Sequence, residues 1–274
     1  MNKERIVITK IKNRPVLFSI FFSFVLAAIW TVATLFIRGL YEQFGTSTLL
    51  FMNIMVGTAI TVLAVALFGV INQTNGFKHL FKIKGFMKGL FVLLPVVPLV
   101  IFGLVIGISG EVNTDMENVW VMPLAILLAV VGAFMQSALF RGLLATALFM
   151  KFSGTEKERV LSVFKASALF LVLYIMQHIL SGNHISIMQL INTFIVGAGF
   201  CAAYLYSRNL MSLVLFQGIW LTIDSVINLL FVNVNQVSPL TIIPLALILI
   251  LIVVFTVRFS KRAERFTCSA EIVS

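Results

Sequence analysis

Few side chains in this chain could do chemistry in an apolar setting, and their types limit what that chemistry is. Of ten carboxylate residues, only Asp224 falls inside a long hydrophobic run; the other nine fall in the connecting loops and tails. One arginine (Arg141) and one histidine (His178) share that depth. Buried hydrolysis ordinarily uses a pair of carboxylates, or a carboxylate beside metal-binding imidazoles. Here one acid, one guanidinium and one imidazole are joined by amides. Gln217 and Asp224 are seven residues apart, which on a helix puts them on one face about two turns apart. Gln136 and Ser137 precede Arg141 by five and four residues. Gln136, Arg141, His178, Gln217 and Asp224 could therefore meet between helices, either as hydrogen-bonding glue or as a site.

Several chemistries are excluded by what is missing. A zinc site needs three protein ligands. His184 follows His178 by six residues, but Ser181-Gly182-Asn183 places it in a loop, and His79 falls on the opposite side of the membrane. No metal or other cofactor is expected. There is no H-E-x-x-H, no second acid for an aspartyl dyad and no G-x-S-x-G elbow. Arg141 has two readings. It snorkels to the headgroups, or it is held inside the bundle by Asp224 or by backbone carbonyls, with Gly142 allowing a neighbouring helix to come close.

The elements that position these residues are membrane spans. Hydrophobic residues make up 60% of the 274 and charged residues 11%, against roughly half and a quarter in soluble domains. Mean hydropathy is +1.08. Long unbroken apolar runs, rather than alternation, exclude a β-barrel. Runs long enough to cross a bilayer fall at roughly 15–37, 46–71, 89–109, 119–149, 160–180, 187–207, 211–232 and 239–258. The fold class is an all-α, polytopic membrane helix bundle of about eight spans. A basic tail (1–14) precedes one transmembrane bundle (15–258), and a second tail follows (259–274). The first run is too long for a signal-peptide core and is expected to remain as a span. Pro95 and Pro98 should bend the third. The fourth is too long for one upright helix, so it tilts, projects into the cytoplasm, or breaks at Pro123 or Gly132. Cys201 and Cys268 lie in different environments, so no disulfide is expected. Gly197 and Cys201 are spaced for close helix packing.

Net charge is +10, which in a soluble chain would point to nucleic acid. Here the cations sort by side of the membrane. They cluster in the first tail, in 78–88, in 151–165, at Arg208 and after 257, whereas the opposing loops hold Arg38 and the acids Glu42, Glu111, Asp115 and Glu117. That is a positive-inside pattern with both termini cytoplasmic. The partners implied are membrane lipid and a membrane protein or peptide, with no nucleic acid. The stretch 76–89 interleaves lysine with Phe and Leu, as a surface-lying amphipathic segment or a plain cytoplasmic loop would.

The run Phe134–Leu148 (FMQSALFRGLLATAL) resembles the first signature of the CAAX prenyl protease type 2 and bacteriocin-processing family, also called CPBP or Abi. Arg141 and Gly142 match the family's Arg-Gly, while its two glutamates fall at Gln136 and Ser137. The second signature, an aromatic and a histidine four residues on, is carried by Tyr174 and His178. Gly197–Trp220 resembles the third in layout, with the family's histidine at Gln217 and its asparagine at Leu221. The resemblance covers about 119–232. It implies an all-α bundle of eight or so spans and intramembrane, metal- or glutamate-dependent endopeptidase activity in intact members. A neutral amide at Gln136 cannot act as the general base, and an amide at Gln217 is a poor zinc ligand beside imidazole. The resemblance thus implies a catalytically degenerate protein of the cell membrane. It would resemble members of the lysostaphin-resistance type or bacteriocin-immunity factors, which act as scaffolds or regulators through lateral contact with a membrane partner.

Two alternatives stay open at this point. One is an active endopeptidase, requiring zinc, in which Asp224 and His178 form a rearranged site. The other is a transporter. A geometric tension also stands. By these span limits Gln136 and His178 lie near or beyond mid-membrane and Gln217 near the cytoplasmic end, so they meet only if a helix is broken or tilted. The orientation is directly testable. Reporter fusions at residues 1 and 274 should both report a cytoplasmic location, and one inserted at 40–44 should report the opposite side; termini on opposite sides would show an odd number of crossings.

Overall fold

The computed structural model describes residues 15–40, 44–72, 121–151, 155–180 and 187–232, together with 81, 85–94, 97–98, 111–112 and isolated positions in 101–105 and 247–254. The helices are α1 (Pro15–Gly39), α2 (Thr46–Asn72), α3 (Phe86–Leu93), α4 (Met122–Gln136), α5 (Thr146–Lys151), α6 (Glu156–Leu180), α7 (Ile187–Ser207) and α8 (Leu210–Leu230). A π-helical segment, Ser137–Ala145, joins α4 to α5 without interruption. A two-residue antiparallel ladder pairs Glu111 with Val232 and Val112 with Phe231, the one departure from all-α structure among the described residues.

Six of the described stretches are long and apolar enough to cross a membrane: Val16–Gly39, Thr46–Ile71, Met122–Phe149, Lys157–Met176, Gln189–Ser207 and Leu210–Ile227. They coincide with six of the eight runs expected from sequence. The third and eighth runs, most of the basic stretch before Gly85, and both tails fall largely or wholly outside the described residues. Many polar side chains in the spans are satisfied within their own helix. Thr31, Thr34, Thr58 and Thr61 donate to the carbonyl four residues back at 2.8–3.0 Å, so these hydroxyls need no water. At the start of α6, Thr155 and Glu158 form a reciprocal capping box at 3.0 and 3.2 Å, satisfying two otherwise unpaired backbone N–H groups.

The core is built around the long fourth span. All nine residues of the π segment are buried, and α1, α2, α6, α7 and α8 surround it. The long run does not break where the sequence offered a break. Pro123 sits in the first turn of α4, where its missing N–H is tolerated, and Gly132 lies within regular α-helix. The irregularity begins at Ser137 instead. A π segment takes in an extra residue per turn, so the span shortens and its later residues rotate. Two of its carbonyls accept side-chain hydroxyls: Ser23 Oγ on α1 donates to the Leu139 carbonyl at 3.4 Å, and Thr146 Oγ1 to the Arg141 carbonyl at 3.4 Å. Gly197 packs against Ser167 and Phe170 of α6, and Cys201 is buried, as their small-residue spacing predicts.

The connection from α7 to α8 is a tight polar turn. Arg208 is left-handed, with φ 52°. Ser207 Oγ donates to the Ala203 carbonyl at 2.8 Å and accepts from the Asn209 N–H at 3.2 Å. Asn209 Oδ1 caps α8 by accepting from the Ser212 N–H at 3.2 Å. The start of α3 lies directly on this turn. Gly85, at φ 91°, abuts the Ser207 carbonyl, and Gly89 abuts Ser212 and Ser207 Oγ, so a Cβ at either position would collide. The end of the basic stretch, expected on the membrane surface or in a loop, is therefore a helix docked through two glycines one turn apart. Overpacking of this kind costs about 1–3 kcal/mol. Gly89→Val should lower the thermal midpoint of the purified protein accordingly, while Gly39→Val, where a Cβ meets nothing within 4 Å, should leave it unchanged.

Candidate functional site

The packing of α4 against α8 brings Gln136 to Gln217. Gln217 Nε2 donates to Gln136 Oε1, and Gln217 Oε1 accepts from Ser137 Oγ at 3.2 Å. The depth mismatch anticipated from the span limits is thus corrected. The two amides share one level because α4 and α8 pack along their lengths, Gly132 beside Leu221 and Ala133 beside Gly218. All three side chains are neutral, and each amide contact uses one donor and one acceptor. Gln217 and Ser137 are buried, so the contact is shielded from competing solvent.

Arg141 follows one π turn later. It is 1% exposed, which rules out snorkelling. Its guanidinium carbon lies 4.9 Å from the ring centre of Phe170 on α6 and 5.3 Å from that of Phe200 on α7, within cation–π range. Nε and Nη1 are buried and have no hydrogen-bond partner among the described residues. Two ring faces therefore hold a charge whose N–H groups are only partly used, an arrangement costly in an apolar interior. Asp224 lies on α8, but its side chain is outside the described residues, so its expected pairing with Arg141 lies there too.

His178 and Tyr174 form a third group, one helical turn apart on α6. Their rings are 4.1 Å apart between centres, and His178 Nδ1 lies 3.1 Å from the Tyr174 carbonyl oxygen. A bond there needs a proton on Nδ1, leaving Nε2 as the other ring nitrogen. At the opposite end of the bundle Arg208 stacks over Phe149, 5.3 Å from its ring centre. Burial lowers its pKa from the ordinary value, and the nearby Tyr204 hydroxyl opposes that shift.

These groups share one cavity of about 900 Å³. Gln136, Arg141, Tyr174, His178, Gln217 and Leu221 all line it, and Ser137 lies behind Gln217. Sequence reasoning missed the facing wall, which α1 supplies through Phe21, Phe24, Ala28, Trp30 and Thr31. The signal was present in part, since 21, 24, 28 and 31 recur at helical spacing on one face. Apolar spacing in a membrane span does not say whether that face meets lipid or protein. Two lining residues, Phe21 and Met176, are about half exposed, at 55% and 46%, so the cavity reaches the apolar surface of the bundle.

Residues 118–223 match the family model of type II CAAX prenyl endopeptidases, Rce1-like. This is the family whose signatures Phe134–Leu148 and Tyr174–His178 resemble. No curated protein and no solved structure matches the chain. The Rce1-like segment covers α4, the π segment, α5, α6, α7 and most of α8, and so supplies Gln136, Ser137, Arg141, Tyr174, His178, Gln217 and Leu221. Asp224 falls one residue beyond it, and the aromatic wall of α1 lies well outside it. Together with six apolar helices, the match makes this a membrane protein with a CAAX-endopeptidase-like core.

The described lining does not fit a zinc site. It offers one imidazole, His178, and three amides, Gln136, Gln189 and Gln217, two of them bonded to each other, where zinc needs three protein ligands and amides are poor ones. Among the described residues no three His, Cys, Asp or Glu side chains come together. The amide pair is instead a mutual lock, and its energetics are testable. Gln217→Leu strands the polar atoms of Gln136 and Ser137 and should cost about 1–3 kcal/mol. The double replacement Gln136→Met with Gln217→Met removes both ends and should cost clearly less than the sum of the singles in a denaturation cycle.

Proposed function

We propose that this protein is a catalytically degenerate relative of the CAAX endopeptidases, a multi-pass protein of the cell membrane that binds a membrane-borne partner through its lateral cavity. In this role it acts as a scaffold, regulator or bacteriocin-immunity factor. One observation carries the reading: Gln217 and Gln136, which stand at the positions of the family's imidazole and first glutamate, hydrogen-bond to each other. An endopeptidase needs a proton acceptor near the scissile carbonyl. An amide oxygen is not basic at neutral pH, and this one is occupied by Gln217. With Ser137 at the second glutamate position and Leu221 at the asparagine position, a water molecule at this spot would find neither a base nor a family-type set of polarising groups.

The geometry that is poor for hydrolysis is well suited to retention. The cavity opens toward lipid, its walls are largely aromatic and aliphatic, and Arg141, the one fixed charge among its described lining, is buried. Lateral entry lets a partner exchange lipid contacts for packed ones without crossing a polar surface. Binding, unlike turnover, asks only that the lining complement the occupant.

Two measurements test this. A photo-crosslinker at Phe21 or Met176 in native membranes should capture one defined membrane partner, and Arg141→Leu should abolish that adduct. Purified protein given hydrophobic peptides and zinc should show no cleavage above background. Turnover that disappears in both Asp224→Asn and His178→Ala would establish instead a working protease with a rearranged site.

A further inference from the structure

We propose that the cavity takes a single-chain anionic amphiphile, a hydrocarbon tail ending in a carboxylate or phosphate, with Arg141 as the anchor of its charged end. The inference rests on the reading of the cavity as a binding site and names the chemistry of its ligand.

Three observations converge. Arg141 lines the cavity, is 1% exposed, and has Nε and Nη1 unpartnered among the described residues. A buried guanidinium without an acceptor is costly, and carboxylate and phosphate oxygens are the groups that satisfy it best. Several other polar groups on the lining are engaged with one another or with backbone. Gln136 and Gln217 bond each other, Thr31 Oγ1 donates to the Ala27 carbonyl at 3.0 Å, and His178 Nδ1 faces the Tyr174 carbonyl. An extended peptide would bring a donor and an acceptor with every residue and need partners for them, whereas a hydrocarbon tail needs none. The remaining lining is largely aliphatic and aromatic, among it Phe21, Phe24, Leu139 and Phe140. A volume of about 900 Å³ lies within the ~300–1,000 Å³ range of small-molecule pockets, and the opening at Phe21 and Met176 faces the bilayer that would deliver such a molecule.

Two tryptophans, Trp30 and Trp220, line the cavity, so occupancy is readable by contact quenching with a brominated chain. Detergent-solubilised full-length protein is titrated with 9,10-dibromostearic acid, with the corresponding alkyl phosphate, and with the uncharged dibromostearyl alcohol. Saturable quenching by an anionic probe, at least about tenfold tighter than by the alcohol, is expected. Whichever of the acid and the phosphate binds tighter identifies the headgroup. Trp30→Phe with Trp220→Phe should remove most of the saturable signal. Arg141→Gln should weaken the anionic probes about tenfold and leave the alcohol unchanged, with Arg141→Lys intermediate. Equal affinity for the acid, the phosphate and the alcohol on the unmutated protein overturns the proposal, and needs no variant to fold. In that case the crosslinked partner at Phe21 would persist and the binding-protein reading would stand. Anionic quenching without any crosslinked partner would separate the two in the opposite direction.

Discussion

A π-helical turn inside an apolar bundle is tolerable only where its disturbed backbone groups find donors, and this fold is organised around one that does. Ser23 reaches from α1 to the Leu139 carbonyl, and Thr146 bonds back to the carbonyl of Arg141. Each bond is long and modest, and each gives a carbonyl of the buried segment a side-chain donor. The segment in turn sets the register of everything past Gln136. It places Arg141 between Phe170 and Phe200 and buries nine consecutive residues against five helices.

The site and the packing are one construction. The amide pair ties the end of α4 to α8, while the rings on α6 and α7 confine the guanidinium on two sides. Close approach elsewhere supports these placements: Gly57 meets Val131 and Trp30, Gly197 meets α6, and α3 rests on the α7–α8 turn through Gly85 and Gly89. That turn holds its shape through Ser207 and Asn209 with Arg208 in a left-handed conformation. Among the described residues, the polar contacts that join helices therefore fall where helices bend, begin or cross.

The resemblance to an endopeptidase family and the chemistry of the lining point in different directions, and the difference is local. The Rce1-like segment supplies the helices and their order. The individual positions supply neutral amides, a hydroxyl and a leucine where acid, imidazole and asparagine are implied. A shared bundle does not carry shared chemistry with it. Near-isosteric amides keep the hydrogen bonds that hold helices together while lacking a proton acceptor.

Much of this was legible in the residues alone. Composition and run length determine a polytopic helical membrane protein, because about 20 apolar residues are needed to cross a bilayer and no other backbone form satisfies itself there. Spacing and residue type single out Gln136, Arg141, His178 and Gln217, because ionisable and amide groups are rare at that depth. What only the tertiary structure decided is depth and neighbours. Span limits set Gln136 and Gln217 at different levels, and the packing of α4 against α8, which spacing along a single helix does not contain, brings them together. Nor could sequence tell that α1 turns Phe21, Phe24 and Trp30 toward a cavity rather than toward lipid, because hydrocarbon and protein interior select the same side chains.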